Sequence, residues 1–248
     1  MIRPLLIFKE YIRKQTFNPD VLGLLINPFY FVRKDLHAVV RDLSREVSGT
    51  VLDLGCGSKP YRSFFEASLY VGMDVAQSGH DHTRESIDVY YNGKVFPFSD
   101  NTFDSLVCFE VLEHVFEPKI LLKEIFRVLK PGGILLLTAP FSWDEHEQPY
   151  DYARYSSFAV KYLLEQHGFT VTEHKKIMPD SGILFSLFNA YIYKIIMRKA
   201  APKNIKLIAA SLLTAPANCV GFLLRPYLPK SDDLYFGNAV LARKLPAP

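Results

Sequence analysis

The sequence predicts a doubly wound α/β domain with a seven-stranded, mostly parallel sheet. Three observations support this fold class: short apolar runs recur along the chain, helix-like segments separate several of them, and a glycine turn follows the first run directly. Strands that alternate with helices at this spacing form a parallel sheet covered on both faces. We therefore expect ligands to bind at the carboxyl ends of the strands.

The predicted elements follow in chain order. Residues 1–47 suggest helices broken at Asn-Pro pairs, and a helix-like stretch follows the first strand. Pro118 opens the clearest helix, whose apolar face precedes a Pro-Gly-Gly stop. Ser156 or Ser157 can cap a second helix that stops at Gly168. The predicted strands are 50–54, 70–75, 87–91, 104–109, 133–140, 169–175 and 234–244.

These elements divide the chain into three parts. Residues 1–47 form an N-terminal helical cap, 48–176 with 232–248 form the sheet domain, and 177–231 form an apolar helical insertion between strands 6 and 7. From Lys175 onward there are 11 Lys and Arg against 3 Asp and Glu. A region that is both basic and apolar favours a membrane surface or an anionic amphiphile over nucleic acid.

The insertion has several interpretations. Its runs 181–199 and 207–224 are apolar, but neither fits comfortably the roughly 20 apolar residues of a spanning helix. They could form a lid on the domain, helices that dip into one membrane leaflet, a true membrane span, or a dimer interface. We expect peripheral contact through 181–230, and a homodimer is the alternative.

Composition narrows the cellular compartment that we expect and the kinds of binding site that the sequence can contain. The three cysteines are far apart and have no spacing typical of disulfides or metal sites, so a cytoplasmic protein is expected, at the inner face of the membrane if the insertion binds lipid. The N-terminal apolar run is too short for a secretory signal. The sequence shows no metal motif and no basic aromatic stripe for nucleic acid.

The turn after strand 1 indicates the ligand. Gly55 and Gly57 allow a tight turn and a close backbone approach. A dinucleotide fingerprint requires a third glycine where this chain has Pro60, and Asp53 would repel a phosphate but tolerate a cation. Asp74, at the end of strand 2, can accept hydrogen bonds from both hydroxyls of a ribose, or could simply cap a turn.

Four segments then resemble a known family: VLDLGCGSKP, VGMDV, FPFSDNTFDSLVCFEVLEHV and EIFRVLKPGGILLLTAP, from about Thr50 to Pro140. They are similar to class I S-adenosylmethionine-dependent methyltransferases of the type 11 group. The resemblance implies a last strand that runs antiparallel and S-adenosylmethionine as the cofactor. It places the methionine part beside Asp53, Gly55 and Gly57, the ribose on Asp74, and the adenine on Val75. The full set of implied cofactor-binding residues is Asp53, Leu54, Gly55, Cys56, Gly57, Asp74, Val75, Asn92, Phe109 and Glu110.

The resemblance also bears on the residue before Gly93 and on the residues that follow strand 4. Related sequences usually carry an acid before Gly93; here Asn92 could accept from the adenine amino group through its carbonyl oxygen. Phe109 and Glu110 would line the methyl-donating end. Glu113 and His114 follow on a helical turn and are interpreted as scaffold.

A loop rich in polar and aromatic residues, Trp143–Ser157, follows strand 5 and is predicted to face the acceptor. It is similar to a motif of methyltransferases found in surface-polysaccharide gene clusters. Its aromatic rings suit a hydroxyl-bearing acceptor, and Arg154 offers a planar fork for a carboxylate or phosphate, or pairs with a neighbouring acid to hold the loop. The predicted acceptor-binding residues are Trp143, Glu145, Tyr150, Asp151, Arg154 and Tyr155.

Transfer to a sugar hydroxyl would require a base, because the pKa of that hydroxyl is far above neutral. His146 is the predicted base, with Asp144 and Glu145 as alternates. A carboxylate acceptor would need no base, and His146 would then only bind.

The sequence therefore predicts O-methylation of a glycan or lipid-linked small molecule. Alternatives are methylation of a prenylated quinone-like lipid, a module that binds S-adenosylmethionine without catalysis, and an enzyme of the same fold that uses a nicotinamide.

Overall fold

The computed structural model describes residues 11, 12, 14–76 and 86–246. Their contacts divide the chain into two compact units. One contains the described residues up to Ala38 together with Ile177–Phe236, and the other contains the described residues of Val39–Lys176 and of the segment that begins at Gly237. The sequence interpretation treated the N-terminal cap and the insertion as separate parts, whereas here they share one unit. Residues 1–10 of the predicted cap lie outside the described residues.

A seven-stranded sheet forms the core of the second unit, as the sequence predicts. Its order is β3-β2-β1-β4-β5-β7-β6, with β1–β4 and β1–β2 parallel and β7 antiparallel to β5. Chain order reverses between β1 and β4, so a crevice is expected beyond their carboxyl ends. The strands are β1 (Ser48–Leu54), β2 (Glu66–Val75), β3 (Val89–Tyr91), β4 (Phe103–Phe109), β5 (Leu129–Pro140), β6 (Phe169–Ile177) and β7 (Gly237–Lys244).

The helices show where the local sequence was sufficient to predict secondary structure. They are α1 (Gly23–Ile26), α2 (Tyr30–Leu43), α3 (Pro118–Val128), α4 (Ser157–Glu165), α5 (Gly182–Met197) and α6 (Lys203–Leu224). Pro118 opens α3, and the Ser156 hydroxyl caps α4 by accepting from the Ala159 amide at 3.3 Å. The helix-like stretch predicted after β1 is wrong: only a 3₁₀ turn forms there, Arg62–Phe64, and the chain enters β2 by Glu66.

The first unit is a helical assembly with polar links inside it. The Asn189 amide donates to the Asn218 side-chain carbonyl at 2.8 Å, which joins α5 to α6. The Asn218 amide donates in turn to the Leu24 and Asn27 carbonyls at 3.0 and 2.9 Å. Helices α5 and α6 also approach closely: a Cβ on Gly221 would lie 2.8 Å from the Phe185 ring. These contacts fix how the helices of this unit pack together.

The outer faces of these helices are strongly apolar. Of the described helices, α6 alone is long and apolar enough to cross a bilayer, with a mean hydropathy of 1.8. The core helix of a soluble protein can have the same length and composition. In α6, however, only 22% of the apolar window is buried. More than half exposed are Leu184, Phe188, Tyr191, Ile205, Ile208, Leu212, Leu213 and Leu223.

Candidate active site

A cavity of about 320 Å³ lies at the carboxyl ends of β1, β2 and β4. This volume is in the range of small-molecule sites. One part of its wall comes from the turns after β1, β2 and β3, and the other from the segment after β4 and from the loop Trp143–Ser157, hereafter the acceptor loop. The lining residues are Gly55, Asp74, Val75, Tyr91, Asn92, Gly93, Lys94, Glu110, Val111, His114, Val115, Phe116, Glu117, Ile120, Glu147, Tyr150 and Tyr152.

The turn after β1 requires glycine at its first position. Gly55 has a φ of +70°, and a Cβ there would lie 2.3 Å from a methyl carbon of Val111. Its amide donates to the Met73 carbonyl at 2.8 Å, which ties the turn to β2. A side chain at this position would therefore strain the backbone and collide with the cavity wall.

The carboxylate of Asp74 is held at the cavity wall by backbone donors. The Gly57 amide donates to it at 3.1 Å and the Val75 amide at 2.8 Å. A carboxylate has about four acceptor positions, so these two bonds orient the group and leave it able to accept from a ligand. Asp74 thus has both the position and the chemistry to hold a diol.

Asn92 lines the cavity, as expected of a cofactor-binding residue. Its side-chain carbonyl accepts from the amides of Lys94 and Val95, each at 2.9 Å. The oxygen thus stabilises the turn, and its acceptance from an adenine amino group stays a prediction. The side-chain NH₂ is the part that could meet a ligand, and it would donate.

Several predicted cofactor residues lie behind the wall. Leu54 is fully buried, Cys56 is 2% exposed, and Phe109 packs its ring against Tyr61 at 5.2 Å. Burial raises the pKa of the Cys56 thiol to about 12, so this thiol stays protonated. These three side chains support the wall, and the cofactor contacts expected of these residues stay predictions.

Asp53 is buried directly before the glycine turn, with 4% of its surface exposed. The Tyr70 hydroxyl donates to its carboxyl group at 2.7 Å. Burial raises the pKa of Asp53 to about 7, although the Tyr70 hydrogen bond opposes the shift. A cation bound nearby would favour the charged carboxylate.

Two acidic residues at the cavity have a left-handed backbone. Glu110 has a φ of 53° and Glu147 a φ of 52°. The Glu110 amide donates to the carbonyl and hydroxyl of Thr138, at 3.1 and 3.2 Å. Such conformations are costly for residues other than glycine and cluster at functional sites.

Arg154 organises the acceptor loop from within. Its guanidinium forms two bonds with the Asp151 carboxylate, at 2.5 and 2.7 Å. It also donates to the carbonyls of Trp143, Asp144 and Ala153. Burial would raise the pKa of Asp151, but the guanidinium and the His146 amide lower it to about 2. Arg154 and Asp151 thus form the loop-holding network that was the alternative, and their direct binding of the acceptor stays a prediction.

Some of the other loop residues line the cavity, and others lie outside its lining. Tyr150 lines the cavity as expected, and so does Tyr152. Tyr155 is 8% exposed, and its backbone bonds to Pro140 and Asn238, so it supports the wall; its contact with the acceptor stays a prediction. Trp143 and Glu145 are not among the lining residues; Glu145 accepts from the Gln148 side chain at 3.3 Å.

His146 lies behind His114 and does not line the cavity, whereas His114 does. The two rings meet edge to face, with centroids 4.8 Å apart. Burial lowers the pKa of His146, which keeps its ring neutral at neutral pH. The expectation that His114 and Glu113 serve only as scaffold is incomplete, because His114 borders the cavity.

Glu113, His114 and His146 form a compact group, hereafter the Glu113 cluster. Their ligand atoms lie within 4.8 Å of one another. Glu113 is fully buried, and burial raises the pKa of its carboxyl group well above the usual range. The chain around the cluster is held by the backbone amides of Tyr152 and Ala153, which donate to the Glu113 carbonyl at 2.8 and 3.3 Å.

Comparison with known proteins agrees with this geometry. Residues 52–137 match the model of a family described as a methyltransferase domain. A protein of Mycolicibacterium smegmatis, described as a probable S-adenosylmethionine-dependent methyltransferase, is 28% identical over 182 residues, which is 68% of this chain and 70% of that protein. An uncharacterized methyltransferase of Mycolicibacterium gilvum is 36% identical over 118 residues, 42% of this chain and 46% of that one.

Residues 52–137 of the sheet unit are thus similar to a methyltransferase domain. Solved structures show the same fold. The [4+2]-cyclase SpnF superimposes with a TM-score of 0.57 at 20% identity, covering 87% of this chain and 83% of its own. Phosphoethanolamine N-methyltransferase 2 of Haemonchus contortus, in complex with S-adenosyl-L-methionine, gives 0.53 at 17% identity and covers 90% and 56%. The predicted fold is thereby confirmed, and the domain match of residues 52–137 agrees with the predicted cofactor.

The glycine turn and the Asp74 carboxylate fit the cofactor of such a methyltransferase domain. A Gly55 Cβ would fill part of the cavity edge, and Asp74 is oriented to accept from a ribose. Missed residues of the domain include Tyr91, His114, Phe116, Glu147 and Tyr152. The position of His114 after strand 4 and that of Tyr152 in the polar loop gave a signal in the sequence. Tyr91 ends β3, and Phe116 and Glu147 lie in loops with no regular period.

Proposed function

We propose that this protein transfers a methyl group from S-adenosylmethionine to a hydroxyl oxygen of a glycan or lipid-linked small molecule. The best support is that two chemically different walls line one cavity. The Gly55 turn and Asp74 suit the cofactor, while the acceptor loop contributes aromatic rings and a carboxylate: Tyr150, Tyr152 and Glu147.

The chemistry assigns simple roles to these groups. A lone pair of the acceptor oxygen attacks the methyl carbon, the carbon–sulfur bond breaks, and its electron pair stays on sulfur, so that S-adenosylhomocysteine leaves. The protein must align the two reactants, and such alignment contributes much of the rate. His146 lies behind His114, so it could take the acceptor proton only through another group; Glu147 borders the cavity and could accept the proton directly.

The acceptor wall also contains apolar surface. Phe116 is 78% exposed, and its ring meets that of Tyr152 edge to face at 5.3 Å. Val115 and Ile120 line the cavity next to it. An acceptor with both hydroxyl and hydrocarbon parts, such as a lipid-linked sugar, would match these neighbours. A prenylated quinone-like lipid is the second candidate, favoured by the same apolar wall.

We further propose that the helical unit binds the surface of an anionic membrane. Its support is the exposed apolar faces of α5 and α6 together with exposed cations at their ends, among them Arg198, Lys199 and Lys203. Apolar burial and attraction to anionic lipid add in such contacts. An enzyme placed in this way would act at the cytoplasmic face.

Methyl transfer is tested with radiolabelled S-adenosylmethionine and two fractions of the source organism, a lipid extract and a polar glycan extract. Label in the lipid-linked or glycan fraction, removed by mild deglycosylation, is the expected result. Cofactor binding by calorimetry without transfer to either fraction would contradict catalysis and favour a binding module.

Membrane binding is tested by flotation with phosphatidylglycerol vesicles and with phosphatidylcholine vesicles. We expect flotation with the anionic vesicles only, and its loss in the variant Leu212→Asp, whose side chain is 69% exposed. Phe158→Asp is the matched control, since Phe158 is 84% exposed but lies on α4 of the sheet unit. Protein that stays at the bottom with both vesicles would refute the membrane proposal and leave methyl transfer untouched.

A further inference from the structure

The Glu113 cluster contains buried polar atoms without a hydrogen-bond partner. Glu113 has no exposed surface, and neither of its carboxyl oxygens has a hydrogen-bond partner among the described residues. The His114 Nε2 atom is buried and likewise has no hydrogen-bond partner there. Buried polar groups are normally hydrogen-bonded, and an isolated buried carboxylate costs several kcal/mol. These atoms therefore lack a partner that the described part of the chain supplies.

The hydrogen bonds of His114 identify which of its ring nitrogens faces this partner. Nδ1 lies 2.8 Å from the Tyr150 carbonyl, which can only accept, so Nδ1 carries the proton. In the neutral ring Nε2 then carries no proton and has a free lone pair. It points toward carboxylates, 3.7 Å from Glu113 Oε1 and 3.4 Å from Glu147 Oε1. A lone pair between two carboxylates is a site for a cation.

His146 has the same arrangement. Its Nδ1 lies 3.2 Å from the Asp144 carbonyl and 3.3 Å from an Asp151 carboxylate oxygen, both closer than the Arg154 nitrogen at 3.4 Å. Acceptors therefore hold the proton on Nδ1 and leave Nε2 as a lone pair, 3.9 Å from Glu113 Oε1. Histidines that bind metals typically donate their other N–H to a carbonyl or carboxylate in this way.

We propose that Glu113 and the Nε2 atoms of His114 and His146 bind one divalent transition-metal ion, with zinc as the first candidate. Two ligands of a tetrahedral zinc ion, each bonded at about 2.0–2.1 Å, lie roughly 3.4 Å apart. The Glu113 distances of 3.7 and 3.9 Å exceed this by a few tenths of an ångström, which small side-chain rotations can close. Imidazole and carboxylate ligands suit zinc and its neighbours in the first transition row better than magnesium or calcium.

The place of the ion in the molecule suggests its role. His114 and Glu147 line the cavity, so a coordination position not taken by the three ligands would face the acceptor. This role depends on the proposed function: the ion would bind the acceptor oxygen and lower the pKa of its hydroxyl. With the ion bound, His146 is a ligand and not the base. Binding of the ion itself does not depend on which acceptor is used.

The test starts from purified full-length protein stripped with EDTA and titrated with zinc chloride by calorimetry, with metal content checked by mass spectrometry. We expect one equivalent. Removal of one outer hydrogen-bond partner of a ligand typically weakens metal binding about 10–100-fold, and removal of a ligand should do at least as much. His114→Ala and His146→Ala should both show this loss, while calorimetry with S-adenosylmethionine stays near the wild-type value for His146→Ala, whose side chain lies outside the cavity lining.

His167→Ala is the matched control, because the His167 ring donates to the Leu163 carbonyl outside the cluster, and it should bind zinc as the wild type does. Glu113→Gln keeps the shape of the side chain and should lose zinc while it remains folded by circular dichroism. Cobalt in place of zinc should give a visible absorption band that His146→Ala changes.

The proposal is overturned if the stripped protein binds neither zinc nor cobalt, or if the double variant of His114 and His146 binds them as well as the wild type does. It is also overturned if Glu113→Gln is more stable than the wild type and keeps its metal, since the cluster would then hold only a proton. Absence of methyl transfer with intact zinc binding would instead count against the proposed function alone.

Discussion

The two walls of the cavity are built by different means. On the cofactor side, backbone turns at the ends of strands place the groups: Gly55 approaches closely, and amides of Gly57 and Val75 fix Asp74. On the acceptor side, a long loop is fixed by one side chain, because Arg154 bonds Asp151 and three loop carbonyls. The comparison teaches that the fold fixes the cofactor wall, whereas a network inside the loop fixes the acceptor wall.

Loss of the Arg154 network should have the largest effect. Arg154→Ala leaves Asp151, whose side chain is 3% exposed, without its cation. Breaking a buried pair in this way typically lowers the free energy of unfolding by about 3–5 kcal/mol. We expect a loss in that range by urea denaturation, with cofactor affinity changed little where the protein is folded. Arg45→Ala is the control, since that side chain is 81% exposed and should lose under about 0.5 kcal/mol. Equal losses in both variants would remove the distinction between the walls.

Loss of Asp74 should affect the cofactor and spare the loop. Two charge-assisted hydrogen bonds to a ribose contribute about 1.5 kcal/mol or more each, so Asp74→Ala should weaken S-adenosylmethionine binding roughly 100-fold or more. Calorimetry measures this directly. Asp100→Asn is the control, because the Asp100 side chain is 69% exposed and lies outside the cavity lining. A loss below about tenfold would mean that Asp74 serves only to cap its own turn.

The cofactor wall should also respond to pH through Asp53. The pKa of about 7 in the folded protein lies above the usual 3.8, so the folded state binds the proton more tightly than the unfolded state. Stability without cofactor should therefore fall as pH rises from about 4 to about 7. Affinity for the cationic cofactor should move the other way and weaken as pH falls below about 7. Asp53→Asn should abolish both trends in denaturation and calorimetry; an unchanged pH profile would exclude Asp53 as their source.

Substitutions of Asn92 should have the smallest effect on cofactor affinity. Its carbonyl already accepts from the Lys94 and Val95 amides, and a carboxylate in Asn92→Asp would keep these bonds and add an acceptor for the adenine amino group. One additional hydrogen bond contributes about 0.5–1 kcal/mol, which corresponds to a two- to fivefold gain in affinity. Asn92→Ala should lose affinity because the turn loses its cap. Tighter binding by the alanine variant would show that the turn is not part of the site.

The sequence predicted the parts that depend on local pattern. The sheet followed from apolar runs, and the site at Gly55 and Asp74 followed from where parallel strands end. The segment after β1 was mispredicted as helix because Pro60 and its aromatic neighbours carry no signal of how soon β2 begins. Arg154 and Tyr155 were assigned to the acceptor because composition shows a polar loop but not which side chains bond inward. The Glu113 cluster joins residues more than thirty positions apart, and its spacing matches no sequence motif.

The buried amide pair of Asn189 and Asn218 has a consequence for how this protein can diverge. Apolar helices alone could slide past each other with little change in energy, but only one alignment lets the Asn189 amide reach Asn218 and lets Asn218 reach the Leu24 and Asn27 carbonyls. One polar contact thus sets the register of α5 against α6. The outward-facing apolar residues of both helices are then free to vary in identity while the helix pair keeps a single arrangement.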